Sequence, residues 1–143
     1  MELQIIGQLL LATFLGALIG LEREIKRKEA GLQTYSLVAL STCLFTIISF
    51  ELFNSFFGKT GITFDPSRII MAIAIGIGFI GAGVIFRQAS GIIGLTTAAG
   101  LWVTAAIGIA VGVKLYFLAI FTTFLSLLIL AGFGKLEEKI FKK

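Results

Sequence analysis

The chain has 143 residues, of which 57% are hydrophobic and 14% charged, with a net charge of +4 and a mean hydropathy of +1.03. Soluble domains run at about 45–50% apolar and about 25% charged, so this composition excludes a disordered chain, a coiled coil and an ordinary soluble enzyme. A single cysteine, Cys43, excludes an internal disulfide framework, and the lack of histidine removes His-based catalysis and most zinc sites.

Charges divide the rest into long apolar runs. There are 19 uncharged residues between Glu2 and Glu22, 21 between Glu29 and Glu51, 18 between Arg68 and Arg87, 26 between Arg87 and Lys114, and 20 between Lys114 and Lys135. A helix needs about 20 apolar residues to cross about 30 Å of hydrocarbon. The spacing therefore predicts an all-α integral membrane protein, a bundle of five transmembrane helices at 3–21, 34–52, 69–86, 94–112 and 115–133. The first run has its basic cluster after it and none before it, so it reads as a span and not as a cleavable signal. Pro66, the sole proline, predicts the start of the third span, with Asp65 as N-cap. Gly134 closes the fifth. The domain reading is a transmembrane domain over 1–134 and a short basic cytoplasmic tail over 135–143.

With five spans, nine basic residues fall on the side of the 22–33 and 87–93 loops and the tail. Three (Lys59, Arg68 and Lys114) fall on the other side. The positive-inside rule then predicts an outer N-terminus and a cytoplasmic C-terminus.

Helices in lipid associate through close backbone approach. Span one carries Ala12, Gly16 and Gly20. Span three carries Gly76, Gly78, Gly81 and Gly83, and span four Gly100, Thr104, Gly108 and Gly112. These stripes predict a centre made of spans one, three and four. Span five, with Phe117, Phe121 and Phe124 among leucines, is expected to face lipid. The G-x-G-x-x-G match within GIGFIGAG, residues 76–83, lacks the preceding strand a dinucleotide site needs and reads as helix packing. GALIGLE at 16–22 is similar to GAGVIFR at 81–87, and GLQT at 31–34 to GLTT at 94–97. These similarities suggest a parallel repeat of helices 1–2 and 3–4, weighed against chance similarity between apolar segments.

The polar residues gather at the membrane edges. On the inner rim, Glu22, Arg23, Glu24 and Arg87, with Thr34, Thr96 and Thr97 as helix N-caps, could make one functional polar cluster. The plainer alternative is a solvated helix end with i, i+4 ion pairs. On the outer rim, Asp65 and Arg68 are spaced as an i, i+3 pair, and Asp65 with Glu51 is a sparse candidate set for Mg²⁺, which keeps several waters. No span carries a charge at its centre, which weighs against a carrier that binds ions at mid-membrane. A pore lined by hydroxyls stays open.

In order along the chain, GALIGLERE, AGLQT, DPSRI, GIGFIGAGVIFR, GLTTAAGLW and AAIGIAVG resemble the MgtC/SapB family of bacterial inner-membrane proteins over about residues 16–112. The family's pattern falls on Gly20, Glu22, Arg23, Glu24, Gly31, Leu32 and Thr34. In the second half it falls on Asp65, Pro66, Arg68, the four glycines of span three, Arg87, Gly94, Thr96, Thr97 and Trp102. Trp102, well inside span four, is expected to be buried against another helix. The resemblance implies an inner-membrane protein linked to magnesium limitation and, in some pathogens, to survival inside host cells. Family members often carry a soluble C-terminal domain, whose role is in doubt for a chain expected to stop soon after span five. The expected function is non-enzymatic support of magnesium homeostasis, by regulating a membrane partner. The alternative is a transporter or channel for Mg²⁺ or another small solute. No nucleophile–base pair suggests an enzyme, and no cofactor is called for, Mg²⁺ being the one ion weighed. The expected partners are the lipid bilayer, a second copy of the chain and a membrane protein, with no nucleic acid.

Overall fold

The computed structural model describes residues 2–61, 64–89 and 91–141. Lys142 and Lys143 of the basic tail lie outside them. The chain folds into helices α1 (Glu2–Ile25), α2 (Leu32–Phe56) and α3 (Ser67–Gly83), a short hairpin of β1 (Phe86–Gln88) and β2 (Gly91–Ile93), then α4 (Leu95–Gly112) and α5 (Tyr116–Leu127). Helix α5 continues through a π-helical turn, Leu128–Phe133, into α6 (Gly134–Phe141). Four helical stretches are long and apolar enough to cross a membrane: α1, α2, α4 and Tyr116–Phe133. The third expected span is shorter. Helix α3 has 17 residues, about 25 Å of rise against about 30 Å of hydrocarbon. It ends three residues before the expected limit at Phe86, which already pairs with Ile93 in the hairpin.

The centre of the bundle is α1, α2 and α4, not α1, α3 and α4. Gly16 of α1 lies against Tyr35 and Ala39 of α2, and Gly20 against Leu32. Gly100, Gly108 and Gly112 of α4 meet Tyr35, Thr42 and Thr46. The small-residue stripes of α1 and α4 therefore receive the larger side chains of α2, which has no glycine of its own. In α3 the expectation fails at three positions: Gly76, Gly78 and Gly83 have nothing within 4 Å of where a Cβ would stand. Gly81 alone of the four packs, against Ala98 of α4. Trp102 is 58% exposed, contrary to the expected burial, although its indole N–H reaches the Ala74 carbonyl of α3 at 3.4 Å. Helix α5 does have a packing stripe. Ala119, Thr123, Ser126 and Leu130 turn inward while Phe117, Phe121 and Phe124 stay exposed. The hydroxyls disguised this face, because each closes on its own helix, Thr123 on the Ala119 carbonyl and Ser126 on that of Thr122.

These contacts fix directions. Residues 35, 42 and 46 of α2 run alongside 100, 108 and 112 of α4, so these two helices are parallel. Helix α3 is antiparallel to α4, from the contacts of Gly81 with Ala98 and Ala74 with Trp102. At the α4–α5 turn the Leu115 N–H bonds back to the Ala110 carbonyl at 2.8 Å, and Lys114 adopts a left-handed φ of 65°. A position of this kind usually holds glycine, and a residue with a Cβ costs about 1–2 kcal/mol there.

Candidate functional site

The two Gly-Leu-x-Thr segments each start a helix, but their threonines do not cap it. Gly31 and Gly94 take the N-cap positions of α2 and α4, and neither helix has a side-chain cap there. Thr34, Thr96 and Thr97 already lie inside the first turn, past the extended position from which a hydroxyl caps. The need is for glycine instead. A Cβ on Gly31 would run into the Glu24 carboxylate, and one on Gly94 into the Val84 carbonyl, where φ is also left-handed at 86°.

The absent cap of α2 is supplied from α1. Glu24 Oε2 accepts the Leu32 N–H at 3.1 Å, placing a negative charge at a helix N-terminus, where the dipole favours it. Immediately before Glu24 in α1, Arg23 and Glu22 form a two-pronged pair: Nε to Oε2 at 2.5 Å and a second guanidinium nitrogen to Oε1 at 3.0 Å. Arg23 is 2% exposed, and it is the only charged residue among the described ones to be buried. Lys26 joins from below, with Nζ 2.7 Å from Glu22 Oε1 and 2.8 Å from the Leu130 carbonyl. That carbonyl lies in the π-helical turn of α5, where the Gly134 N–H has gone to Ala131 instead. The absence of a side chain at Gly134 leaves the ammonium its approach.

A second strand of the network ties α2 to α4. Tyr35 is fully buried, and its hydroxyl donates to the Thr97 carbonyl at 3.1 Å. The Thr97 hydroxyl donates to Glu29 Oε2 at 2.6 Å. That bond, together with a bond from the Glu29 backbone, holds the Glu29 carboxyl below its ordinary value of 4.5. With a lowered folded value, the Glu29–Thr97 link contributes stability above pH 4.5 and loses it as pH falls through that lowered value. Charge, helix starts and a tyrosine thus converge at one end of the bundle, where α1, α2, α4 and the π turn meet.

Of the residues the sequence singled out, the structure brings Glu22, Arg23, Glu24 and Thr97 to this end. It leaves Arg87 apart: the side chain is exposed on β1, with no ion pair or hydrogen bond to Glu22 among the described residues. Glu29 and Tyr35 are members the sequence reading missed, and Lys26 entered it only as the i, i+4 partner of Glu22, a pair that forms at 2.7 Å. The i, i+4 spacing of Glu22 and Lys26 was visible, but it looked like an ordinary solvated pair. Replacing Lys26 with Gln should free the π turn, at about 1 kcal/mol for a partly exposed charged hydrogen bond. Amide hydrogen exchange over 128–134 should accelerate several-fold, whereas a purely solvating lysine would leave it unchanged.

Just before α3, Asp65 Oδ1 accepts the backbone N–H and the hydroxyl of Ser67 at 2.9 and 2.7 Å. Both bonds lower its carboxyl, the hydroxyl's more than the amide's. The residue thus holds the first amide of α3 from the position before Pro66, which takes the N-cap place expected of Asp65, and the expected Asp65–Arg68 ion pair is not made. Among the described residues no three Asp, Glu or Cys groups come together as a metal site. Glu51 lines a separate pocket with Lys114.

An apolar-surfaced helical bundle with one charged, internally bonded end defines a multi-pass membrane protein. The MgtC family model matches residues 9–139, and the chain belongs to that family. It is 40% identical over 143 residues to the Escherichia coli (strain K12) protein named "Putative magnesium transporter YhiD", covering 100% of this chain and 66% of that one. It is 45% identical over 107 residues to Protein SapB of Bacillus subtilis (strain 168), covering 74% and 46%. To Protein MgtC of Salmonella typhimurium (strain LT2) it is 44% identical over 104 residues, covering 73% and 41%. The chain spans less than two thirds of the length of these three relatives. No solved structure matches it.

Proposed function

We propose that the chain is a non-enzymatic protein of the bacterial inner membrane that supports adaptation to low magnesium by acting on a membrane partner, with the Glu22–Arg23–Lys26 end as its working part. The magnesium link rests on family membership and on the name of the E. coli relative. The observation that carries the regulatory reading is the closed interior. Thr42, Thr46 and Thr104 are buried at the centre of the bundle, yet each hydroxyl donates to a carbonyl of its own helix at 2.7–2.9 Å. With Thr42 5% exposed and Thr46 and Thr104 fully buried, these oxygens face no water-accessible passage that a hydrated ion could follow, and the one charge buried among the described residues sits at the end of α1.

The reading includes five membrane crossings, an outer N-terminus and a cytoplasmic C-terminus. Helix α3 crosses as the short member, with the hairpin at the inner surface. The alternating helix directions support this, as does the gathering of Arg23, Lys26, Arg27 and Lys28 at one end. The parallel course of α2 and α4 supports the duplicated unit.

The second reading, a Mg²⁺ transporter, is favoured by the name of the E. coli relative. Proteoliposomes loaded with a Mg²⁺-sensitive dye separate the two. The regulatory reading expects influx no faster than in protein-free vesicles, from a chain that restores growth of a deletion strain at limiting magnesium. Saturable influx abolished by substitutions in the bundle would establish the transporter instead.

A further inference from the structure

At the end of the bundle opposite Arg23, the start of α1, the end of α2 and the α4–α5 turn border an open cleft of about 480 Å³. Its polar lining is unusual for so apolar a chain: the carboxylate Glu51, the ammonium Lys114 and the carboxamides Gln4, Gln8 and Asn54, with Phe50 beside them. Glu51 and Lys114 share the pocket without pairing. Among the described residues, neither side chain has an ion-pair partner. Gln8 is already half committed, its amide donating to the Val111 and Gly112 carbonyls at 2.8 and 3.0 Å, which leaves its oxygen as an acceptor. Lys114 is held at the pocket by the left-handed backbone where glycine would be relaxed, so a cationic side chain is kept there against local strain.

One carboxylate beside an ammonium suits neither a bare divalent cation nor a bare anion, since each would meet a like charge. It suits a molecule carrying both signs. We propose that this pocket binds the head group of an aminophospholipid, the primary ammonium on Glu51 and the carboxamide oxygens, the phosphate on Lys114. The pocket lies at the helix ends, at head-group depth for a spanning bundle. Its rim continues into side chains suited to acyl chains, with Leu3, Ile6, Leu10 and Leu115 all exposed. A primary amine is specified because N–H donors match these acceptors, which a trimethylammonium group cannot do.

The test is native mass spectrometry of the full chain in detergent with equimolar phosphatidylethanolamine, phosphatidylcholine and phosphatidylglycerol. Phosphatidylethanolamine should be retained at least about fivefold over the other two, and Glu51→Gln should erase that preference. Lys114→Gly is the decisive variant. It removes the ammonium while relaxing the backbone, so retention should fall while the melting temperature rises, which separates lost binding from lost folding. Displacement of the lipid by millimolar O-phosphoethanolamine would place recognition in the head group. Binding of that soluble compound without lipid retention would overturn the lipid assignment in favour of a free zwitterion. Equal retention of the three lipids, or a preference unchanged in both variants, would overturn the site.

Discussion

Arg23→Gln should lower the stability of the folded chain by about 3–5 kcal/mol, the range for removing one partner of a buried ion pair. The side chains of Arg23 and Glu22 are 3% and 14% exposed, and two hydrogen bonds join them. Deleting the guanidinium removes both of its hydrogen bonds from a carboxylate in a site that water barely reaches and leaves it one cation among the described residues, the partly exposed Lys26. Arg23→Lys should recover part of the loss and not all of it, because an ammonium cannot reproduce the two-pronged geometry. Thermal unfolding in detergent, followed by circular dichroism, reads both variants. A shift within error of wild type for Arg23→Gln would mean that the pair is solvated in the membrane.

Gly108→Leu should be comparably severe, and Gly78→Leu mild. A Cβ at Gly108 would collide with the Thr42 hydroxyl and stand 2.5 Å from the Ala39 carbonyl. The obstacle is backbone, which no rotamer change removes. Overpacking costs about 1–3 kcal/mol where neighbours can move, so Leu at this position should exceed the upper figure and separate α2 from α4. At Gly78 nothing lies within 4 Å, and an added side chain meets open space. Expression in membranes and thermal unfolding of the two variants should diverge. Equal behaviour would contradict the assignment of α1, α2 and α4 as the packed centre.

That contrast marks what the sequence could and could not convey. Charge-free run length located the helices to within a few residues, since hydrocarbon thickness sets a length that composition alone can satisfy. The glycine stripes correctly marked faces that accept a close neighbour on α1 and α4, but a stripe does not name its neighbour. Helix α2 carries bulk at Tyr35 and Thr42, and it could not be recognised as the central helix from small residues it does not have. On α3 the glycines are richest and pack least. The site at the end of α1 was legible at Glu22, Arg23 and Glu24, whose charges border an apolar run. The Lys26–Glu22 pair was legible from its spacing, but the bonds of Lys26 to a carbonyl in a π turn and of Glu29 to a hydroxyl on α4 were not, because those partners lie more than 60 positions away. Arg87, expected in the same cluster from its similar motif, stands exposed on β1 and makes no bond to Glu22 among the described residues.

The role proposed for this protein under magnesium limitation falls to the bonded charges at the end of α1 and not to the basic surface around them. Growth at limiting magnesium of cells whose only copy is Glu22→Gln or Arg87→Gln, compared at matched amounts of protein in the membrane, tests it directly. Growth should be impaired with Glu22→Gln and match wild type with Arg87→Gln. Wild-type growth with both, or equal impairment with both, would contradict it.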